Sequence, residues 1–107
     1  MIVLYDDGGG ITQESVDYFR AKQHCLGMVL DVHISFYRTF PMEITGANAV
    51  MLLSGVNCGY SGEGTEGSIS ILRMLGLRNQ TIIEVVRLKR NVKISFRGGQ
   101  PQLEGAT

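Results

Sequence analysis

The first part of the chain sets a short apolar run before a polar turn, which predicts a strand followed by a helix. Residues 2–5 are β-prone, and the aspartates and glycines of residues 6–10 are typical of a turn. Thr12 can cap a helix over about residues 13–26, which Gly27 would end. We therefore expect a strand, a turn and a helix here.

In the middle of the chain, apolar and polar residues follow the patterns that are typical of β-strands. In residues 28–44, apolar and polar side chains alternate from Val32 onward, which is the period of a strand with one buried face. Pro41 limits this strand or places it at a sheet edge. Residues 49–56 are apolar at both parities, which predicts a central strand covered on both sides.

A second helix is predicted after a glycine-rich stretch that follows this strand. Its apolar positions recur at helical spacing between Ile69 and Leu75, and Thr65 or Ser68 can cap its start. Gly76 stands where a Schellman motif requires glycine, so the helix should end there.

The last third of the chain is ambiguous. Thr81 and Glu84 fit the capping box of a helix, whereas the β-branched content of residues 81–97 fits a hairpin that turns near Arg90. We favour the hairpin. Residues 98–107 show no periodicity and are expected to be a flexible C-terminal tail.

These elements predict one α+β domain over residues 1–97. The expected fold is a small mixed or antiparallel sheet with two helices, in the order β-α-β-β-α-β-β. A chain of 107 residues has room for a single core, and no internal repeat or second domain is visible.

Composition narrows the class of protein. The chain is 44% hydrophobic and 19% charged, which is ordinary for a globular domain, and glycine is abundant with 14 residues. No apolar run approaches the length of a membrane span, and Cys25 and Cys58 are too few for a disulfide framework. We expect a cytoplasmic protein with free thiols and no membrane partner.

Charge is balanced overall and uneven along the chain. Ten basic and ten acidic residues cancel, so nucleic acid is not an expected partner. Residues 1–53 hold six carboxylates and three basic side chains, whereas residues 73–97 hold seven basic side chains and one carboxylate. The basic groups for any bound anion should therefore come from the second half, where Arg87, Lys89, Arg90, Lys93 and Arg97 would form a positive face on the predicted hairpin. Such a face could meet the phosphates of a ligand, but we favour the alternative, a solvated sheet edge that charge protects from aggregation.

The glycine-rich loop of residues 59–65 is the strongest candidate for a binding site. Glycine lets backbone N–H groups approach a ligand, and the N-terminus of the following helix adds unpaired donors that suit a phosphate or a carboxylate. The spacing matches neither a P-loop nor a dinucleotide fingerprint, and the same glycines would equally suit a tight turn without a ligand. The predicted ligand-binding set is Asn57, Gly59, Tyr60, Ser61, Gly62, Glu63, Gly64, Thr65, Arg73, Arg87 and Arg90.

Two residues of this loop have alternative roles that the sequence leaves open. Tyr60 could stack on a base or sugar, or fold back on the core. Asn57 could contact a ligand or brace the loop.

Catalytic and metal sites find little support in the sequence. Cys58 could act as a nucleophile with His24 or His33 as base, but a small buried thiol is the more usual role. No pair of Cys or His residues has the spacing of a zinc site. We expect no metal, no cofactor and no complete set of catalytic groups.

The segment Gly59-Tyr60-Ser61-Gly62-Glu63-Gly64-Thr65, with Ile71-Leu72 further on, resembles a G-Y-G-G-x-G-P motif followed by I-L that is found in small phage and bacterial proteins. Ser61 and Thr65 depart from that motif. The resemblance implies that Gly59, Tyr60, Gly62 and Gly64 shape the loop. It also implies similarity to small oligomeric phage anti-defence proteins that sequester cyclic nucleotide signals.

Together these observations predict a homo-oligomeric, non-enzymatic domain that binds a phosphorylated or nucleotide-like small molecule at the glycine loop and the helix N-terminus. The alternative is a structural or protein-interaction subunit with no small-molecule ligand, in which the loop is only a turn.

Overall fold

The computed structural model describes all 107 residues and confirms the α+β class. It contains three α-helices, whereas two were predicted, and six strands. In chain order the elements are β1 (Ile2–Tyr5), α1 (Thr12–Lys22) with a short 3-10 turn (Gln23–Leu26), β2 (Val29–Ser35), β3 (Met42–Gly46), β4 (Ala49–Leu53), α2 (Glu63–Met74), α3 (Gln80–Leu88), β5 (Asn91–Ser95) and β6 (Gln102–Ala106).

The six strands form one mixed sheet in the order β1-β4-β3-β2-β5-β6. Only β1 and β4 run parallel, with Ile2 beside Ala49, and every other neighbouring pair is antiparallel. The carboxyl ends of β1 and β4 therefore lie at the same edge of the sheet, where they lead into α1 and α2.

The strand predicted over residues 28–44 is in fact two. β2 ends at Ser35, the chain turns around Pro41, and β3 returns antiparallel to β2. β4 also differs from its prediction, because its residues alternate between buried and half-buried and only one face is covered. Its second apolar parity, at Val50 and Leu52, lies on the opposite face.

The predicted helix ends are partly correct. The Schellman motif is confirmed, since Leu77 N–H donates to Leu72 O (2.9 Å), Gly76 N–H donates to Arg73 O (3.0 Å) and Gly76 has φ +105°. The predicted caps are wrong. Ile11 precedes α1 and Gly62 precedes α2, and neither contributes a side-chain cap.

The hairpin favoured for residues 81–97 is wrong, because its first half is α3. Asn79 caps this helix by accepting hydrogen bonds from Thr81 N–H (2.9 Å) and Ile82 N–H (3.3 Å). Ile82, Ile83 and Val86 then lie on one buried helical face, and burial of this face outweighs the β-propensity of the segment. β5 consequently pairs with β6, within the segment expected to be a flexible tail, and not with residues 81–88.

One hydrophobic core of 21 buried residues lies between the helices and one face of the sheet. Strand residues that alternate with the buried ones, such as His33, Glu43 and Lys93, are half-buried or exposed, so the other face is uncovered. The extents of 32 × 30 × 19 Å fit such a two-layer slab. No helix has the length and apolarity that crossing a membrane requires.

Candidate functional site

The parallel strands β1 and β4 bring two loops together at one sheet edge. Residues 6–11 follow β1, and residues 54–62, which include the glycine-rich loop, follow β4. Gly10 N–H donates to Ser54 Oγ (3.0 Å), and the Thr12 hydroxyl donates to Gly55 O (2.6 Å). Carboxyl ends of parallel strands are a common location for ligands in α/β folds, which makes these two loops a candidate site.

A buried carboxylate fastens the two loops. Asp6 accepts hydrogen bonds from Ser15 Oγ (2.5 Å), Ser54 N–H (2.9 Å) and Gly8 N–H (3.0 Å), while Ser15 Oγ in turn accepts from Gly55 N–H (2.8 Å). Burial opposes ionisation, but these donors together hold the pKa of Asp6 below its ordinary value. Asp6 therefore serves as an internal anion that occupies the backbone donors of this edge.

Tyr60 folds over the glycine-rich loop. A Cβ at Gly62 would lie 2.7 Å from Tyr60 Cε2, and one at Gly64 would overlap the Tyr60 hydroxyl. A larger residue at either position would therefore displace the tyrosine ring of the same loop. The ring is 38% exposed and meets Phe36 edge-on, so it lies over the loop at the surface and not in the core.

The crevice beside the loop is small and has no basic side chain in its lining. It has a volume of about 270 Å³ and is lined by Ser54, Asn57, Tyr60 and Glu63 among others. Asn57 braces the loop, since its Oδ1 accepts from Cys58 N–H (2.9 Å) and its own N–H donates to Gly64 O (2.9 Å). A phosphate placed here would meet the Glu63 carboxylate without a compensating basic side chain.

The start of the loop contacts the segment between α3 and β5. Gly59 has φ +81°, donates its N–H to Val86 O (2.9 Å), and would place a Cβ 2.7 Å from Arg90 Cγ. Both the positive φ and this close approach require glycine. The structure thus brings the loop and one predicted arginine together.

Arg90 lies against a cluster of aromatic rings. Its guanidinium carbon is 4.9 Å from the ring centroid of Phe36 and 5.9 Å from that of Tyr37, and its Nη1 donates to the Tyr37 hydroxyl (2.8 Å). Phe36 also meets Tyr60 edge-on at 5.9 Å. The aromatic cluster therefore links the glycine-rich loop to Arg90 and fixes the guanidinium group.

A larger cleft, which we call the Arg90 cleft, opens beside this cluster. It has a volume of about 700 Å³, and its lining includes His33, Tyr37, Lys89, Arg90 and Asn91 but no Asp or Glu side chain. His33 Nε2 and Asn91 Oδ1 are 2.6 Å apart and form a hydrogen bond across β2 and β5. The cleft combines basic groups with the exposed ring of Tyr37.

The other two predicted arginines lie elsewhere. Arg87 pairs with Glu66 (3.0 Å) and Glu84 (2.5 Å), which raises the pKa of Arg87 and lowers that of Glu66. Arg73 is exposed near the end of α2, close to Arg78 in a separate shallow concavity. Neither residue belongs to the Arg90 cleft.

The predicted positive face does not form. Arg87 is on α3, whereas Lys93 and Arg97 lie on the open face of the sheet, where Arg97 pairs with Asp31 at 2.7 Å. The prediction was wrong because it placed all five basic residues on one hairpin. Only Lys89 and Arg90 remain adjacent and free of ion pairs.

The remaining residues of the predicted set do not converge on a ligand site. Ser61 is exposed, whereas Thr65 is fully buried inside α2 and its hydroxyl has no hydrogen-bond partner. Cys58 is also fully buried, and burial raises the pKa of its thiol to about 11. A thiol in this environment stays protonated and is a poor nucleophile. No group of three or more His, Cys, Asp or Glu side chains is arranged to hold a metal ion.

Most of the Arg90 cleft was not predicted from the sequence. His33 was considered only for a metal or catalytic role, and Tyr37 and Asn91 were not considered as ligands. Tyr37 lies 53 positions from Arg90 along the chain, and only the pairing of β2 with β5 brings them together. The basic pair Lys89-Arg90 at the end of α3 was the one local indication.

Comparison with known proteins yields no relationship: no protein-family model, no curated protein and no solved structure matches this chain.

Proposed function

We propose that this domain binds, without chemical conversion, a phosphorylated or nucleotide-like small molecule in the Arg90 cleft. The observation that carries this proposal is a cleft of about 700 Å³ whose charged side chains, Lys89 and Arg90, are both basic. Lys89 and Arg90 have no carboxylate partner, so an anionic ligand would supply their missing counter-charge.

Arg90 is suited to the phosphate. A guanidinium group carries five N–H donors, and the hydrogen bond to the Tyr37 hydroxyl uses one of them. Stacking against Phe36 and Tyr37 limits its motion, so less side-chain entropy is lost on binding. Lys89, the neighbour of Arg90, provides a second positive charge in the same cleft.

Tyr37 is suited to a flat group attached to the phosphate. Its side chain is 74% exposed, and aromatic faces stack on bases of any identity. His33 and Asn91 add polar groups at the cleft wall. The combination of aromatic and basic groups favours a nucleotide over inorganic phosphate.

The glycine-rich loop supports this site without forming it. Gly59 leaves room for Arg90, and Tyr60 packs on the Phe36 ring that carries the guanidinium. If the ligand is a cyclic nucleotide, as the resemblance in the loop implies, binding alone would remove that signal from solution.

Substitution of Arg90 tests the proposal. Loss of a charge-assisted hydrogen bond costs about 1.5–3 kcal/mol, so Arg90→Ala should weaken binding about 10- to 100-fold. Arg97→Ala is the matched control, because Arg97 is also exposed but pairs with Asp31 outside the cleft. Affinity for AMP, cyclic AMP and inorganic phosphate would be measured by isothermal titration calorimetry and by amide chemical shifts.

We expect the nucleotides to bind more tightly than inorganic phosphate. The Arg97→Ala variant should have the same affinities as the unaltered protein. Equal affinity of the Arg90→Ala variant, or no binding of any of the three probes at millimolar concentration, would contradict the proposal. The second outcome would favour a subunit that functions through protein contacts alone.

A further inference from the structure

The two edges of the sheet differ in how they are protected. β6, at one edge, carries Glu104 and has a register shift in its pairing with β5. β1, at the other edge, has no charged residue, no proline and no register shift against β4. Charges and bulges are the usual means by which proteins block the pairing of exposed strands, so β1 is the unprotected edge.

β1 exposes apolar side chains as well as backbone. Ile2 is 62% exposed, Val3 52% and Tyr5 62%. Val3 and Tyr5 lie beside Val50 and Leu52 of β4, whose side chains are half-buried on the open face. The apolar surface of this edge thus continues from the strand onto the open face of the sheet.

The backbone of β1 retains unpaired groups. Asp6 N–H donates to Leu52 O (3.3 Å), and alternate residues of a strand direct their N–H groups to the same side. Leu4 therefore faces β4, and Val3 and Tyr5 direct their N–H and C=O groups outward. A further strand could bond to both residues without disturbing the pairing of β1 with β4.

We propose that β1 pairs antiparallel with β1 of a second copy of this chain, about a two-fold axis, to form a continuous twelve-stranded sheet across a dimer. The outward-facing Val3 of one copy would bond to Tyr5 of the other about an axis at Leu4, and β1 is uncharged, so no like charges are opposed. Pairing of β1 with β6 of another copy would instead meet a charged, shifted edge and would generate open-ended chains.

The expected dimer is reversible. A strand of four residues spans about 13 Å, so its pairing buries less than the roughly 800 Å² per partner of a standard interface. Contact between the two copies of Val3, Tyr5 and Leu52 across the axis adds apolar burial. The interface is separated from the Arg90 cleft by β4 and β3, so the two proposals fail independently.

Sedimentation velocity over protein concentrations from about 1 μM to 1 mM tests this pairing, a range that spans weak affinities. Val3→Pro removes an outward N–H but no bond to β4, and Val3→Lys places a charge on the edge. Because each substitution occurs in both copies, two hydrogen bonds are lost or two charges are added, and dimerisation should weaken at least about 10-fold. Leu103→Lys, on the other edge strand, is the matched control and should dimerise like the unaltered protein.

Amide hydrogen exchange gives a second measurement, because Val3 and Tyr5 N–H groups should gain protection as the protein concentration rises. The highest concentration, about 1 mM, detects dissociation constants up to about that value. A protein that stays monomeric at this concentration would overturn the proposal. The proposal would also be overturned if Val3→Lys dimerised as strongly as the unaltered protein. The same holds if oligomers larger than a dimer formed and Leu103→Lys abolished them. Circular dichroism verifies folding, and if Val3→Pro is unfolded, Val3→Lys decides.

Discussion

At the scale of single residues, Asp6 shows how a carboxylate of the protein itself can occupy backbone N–H groups that would otherwise suit an anion. The edge formed by β1 and β4 offers backbone N–H groups, as an anion site should. Asp6 accepts the N–H groups of Ser54 and Gly8, so the anion there belongs to the protein itself.

Replacement of Asp6 by asparagine should destabilise the fold by about 1–3 kcal/mol at pH 7, because an amide NH₂ would face groups that are themselves donors. Asp7→Asn is the control, since exposed Asp7 accepts only from Gly9 N–H. The free energy of unfolding would be measured by urea denaturation.

The stability that Asp6 contributes should depend on pH, and comparison of the unaltered protein with Asp6→Asn measures this dependence. The pKa of Asp6 is lowered in the folded state, so its contribution is complete above its unfolded pKa of about 3.9 and is lost as pH falls through the folded value. The stability difference between the unaltered protein and Asp6→Asn should therefore shrink below about pH 4. Parallel stability curves from pH 7 to pH 2 would contradict this role.

At the scale of elements, α3 depends on its N-cap Asn79, although the β-branched residues that follow favour a strand. Asn79→Ala removes the acceptor for two N–H groups of the first turn and should cost about 1 kcal/mol. Gln80→Ala, one position along, alters an exposed side chain without a hydrogen bond and should leave stability within about 0.5 kcal/mol. Thermal denaturation of both variants measures the difference, and equal losses would show that Asn79 is not the cap that matters.

The elements that the sequence predicted are those with local causes. β1 is bounded by its own turn residues, and α2 ends in a Schellman motif that Gly76 and Leu77 define by themselves. The misassigned elements depend on distant partners. α3 is stabilised by burial of Ile82 and Val86, and β6 exists because β5 is beside it.

The candidate site follows the same rule. Gly59 and Arg90 were both predicted as ligand residues, and the structure brings them into contact. Their surroundings depend on the pairing of β2 with β5, which joins segments about 60 residues apart. No local pattern could place Tyr37 or His33 in the same cleft as Arg90.

At the scale of the whole molecule, helices cover one face of the sheet and leave the other open, so the two faces have different roles. Helices cover the core face, and the open face carries charged groups along β2, β3 and β5 and apolar groups along β1 and β4. The Arg90 cleft and the β1 edge are separated by β4 and β3. Under the two proposals, we expect a ligand and a second copy of the chain to bind without competing.

The parallel pairing of β1 with β4 also has a kinetic consequence. Strands β2, β3 and β4 follow one another along the chain and pair antiparallel through short connections, whereas Ile2 must close a loop to reach Ala49. Closing the longer loop costs more entropy, so we expect the contacts of β1 to form after those of β2, β3 and β4. During refolding with pulsed hydrogen exchange, Ile44 N–H should gain protection before Leu4 N–H, and simultaneous protection would contradict this order. β1 is earliest in the sequence, yet it would join the sheet only after β2, β3 and β4, and Asp6 would then fasten it to β4.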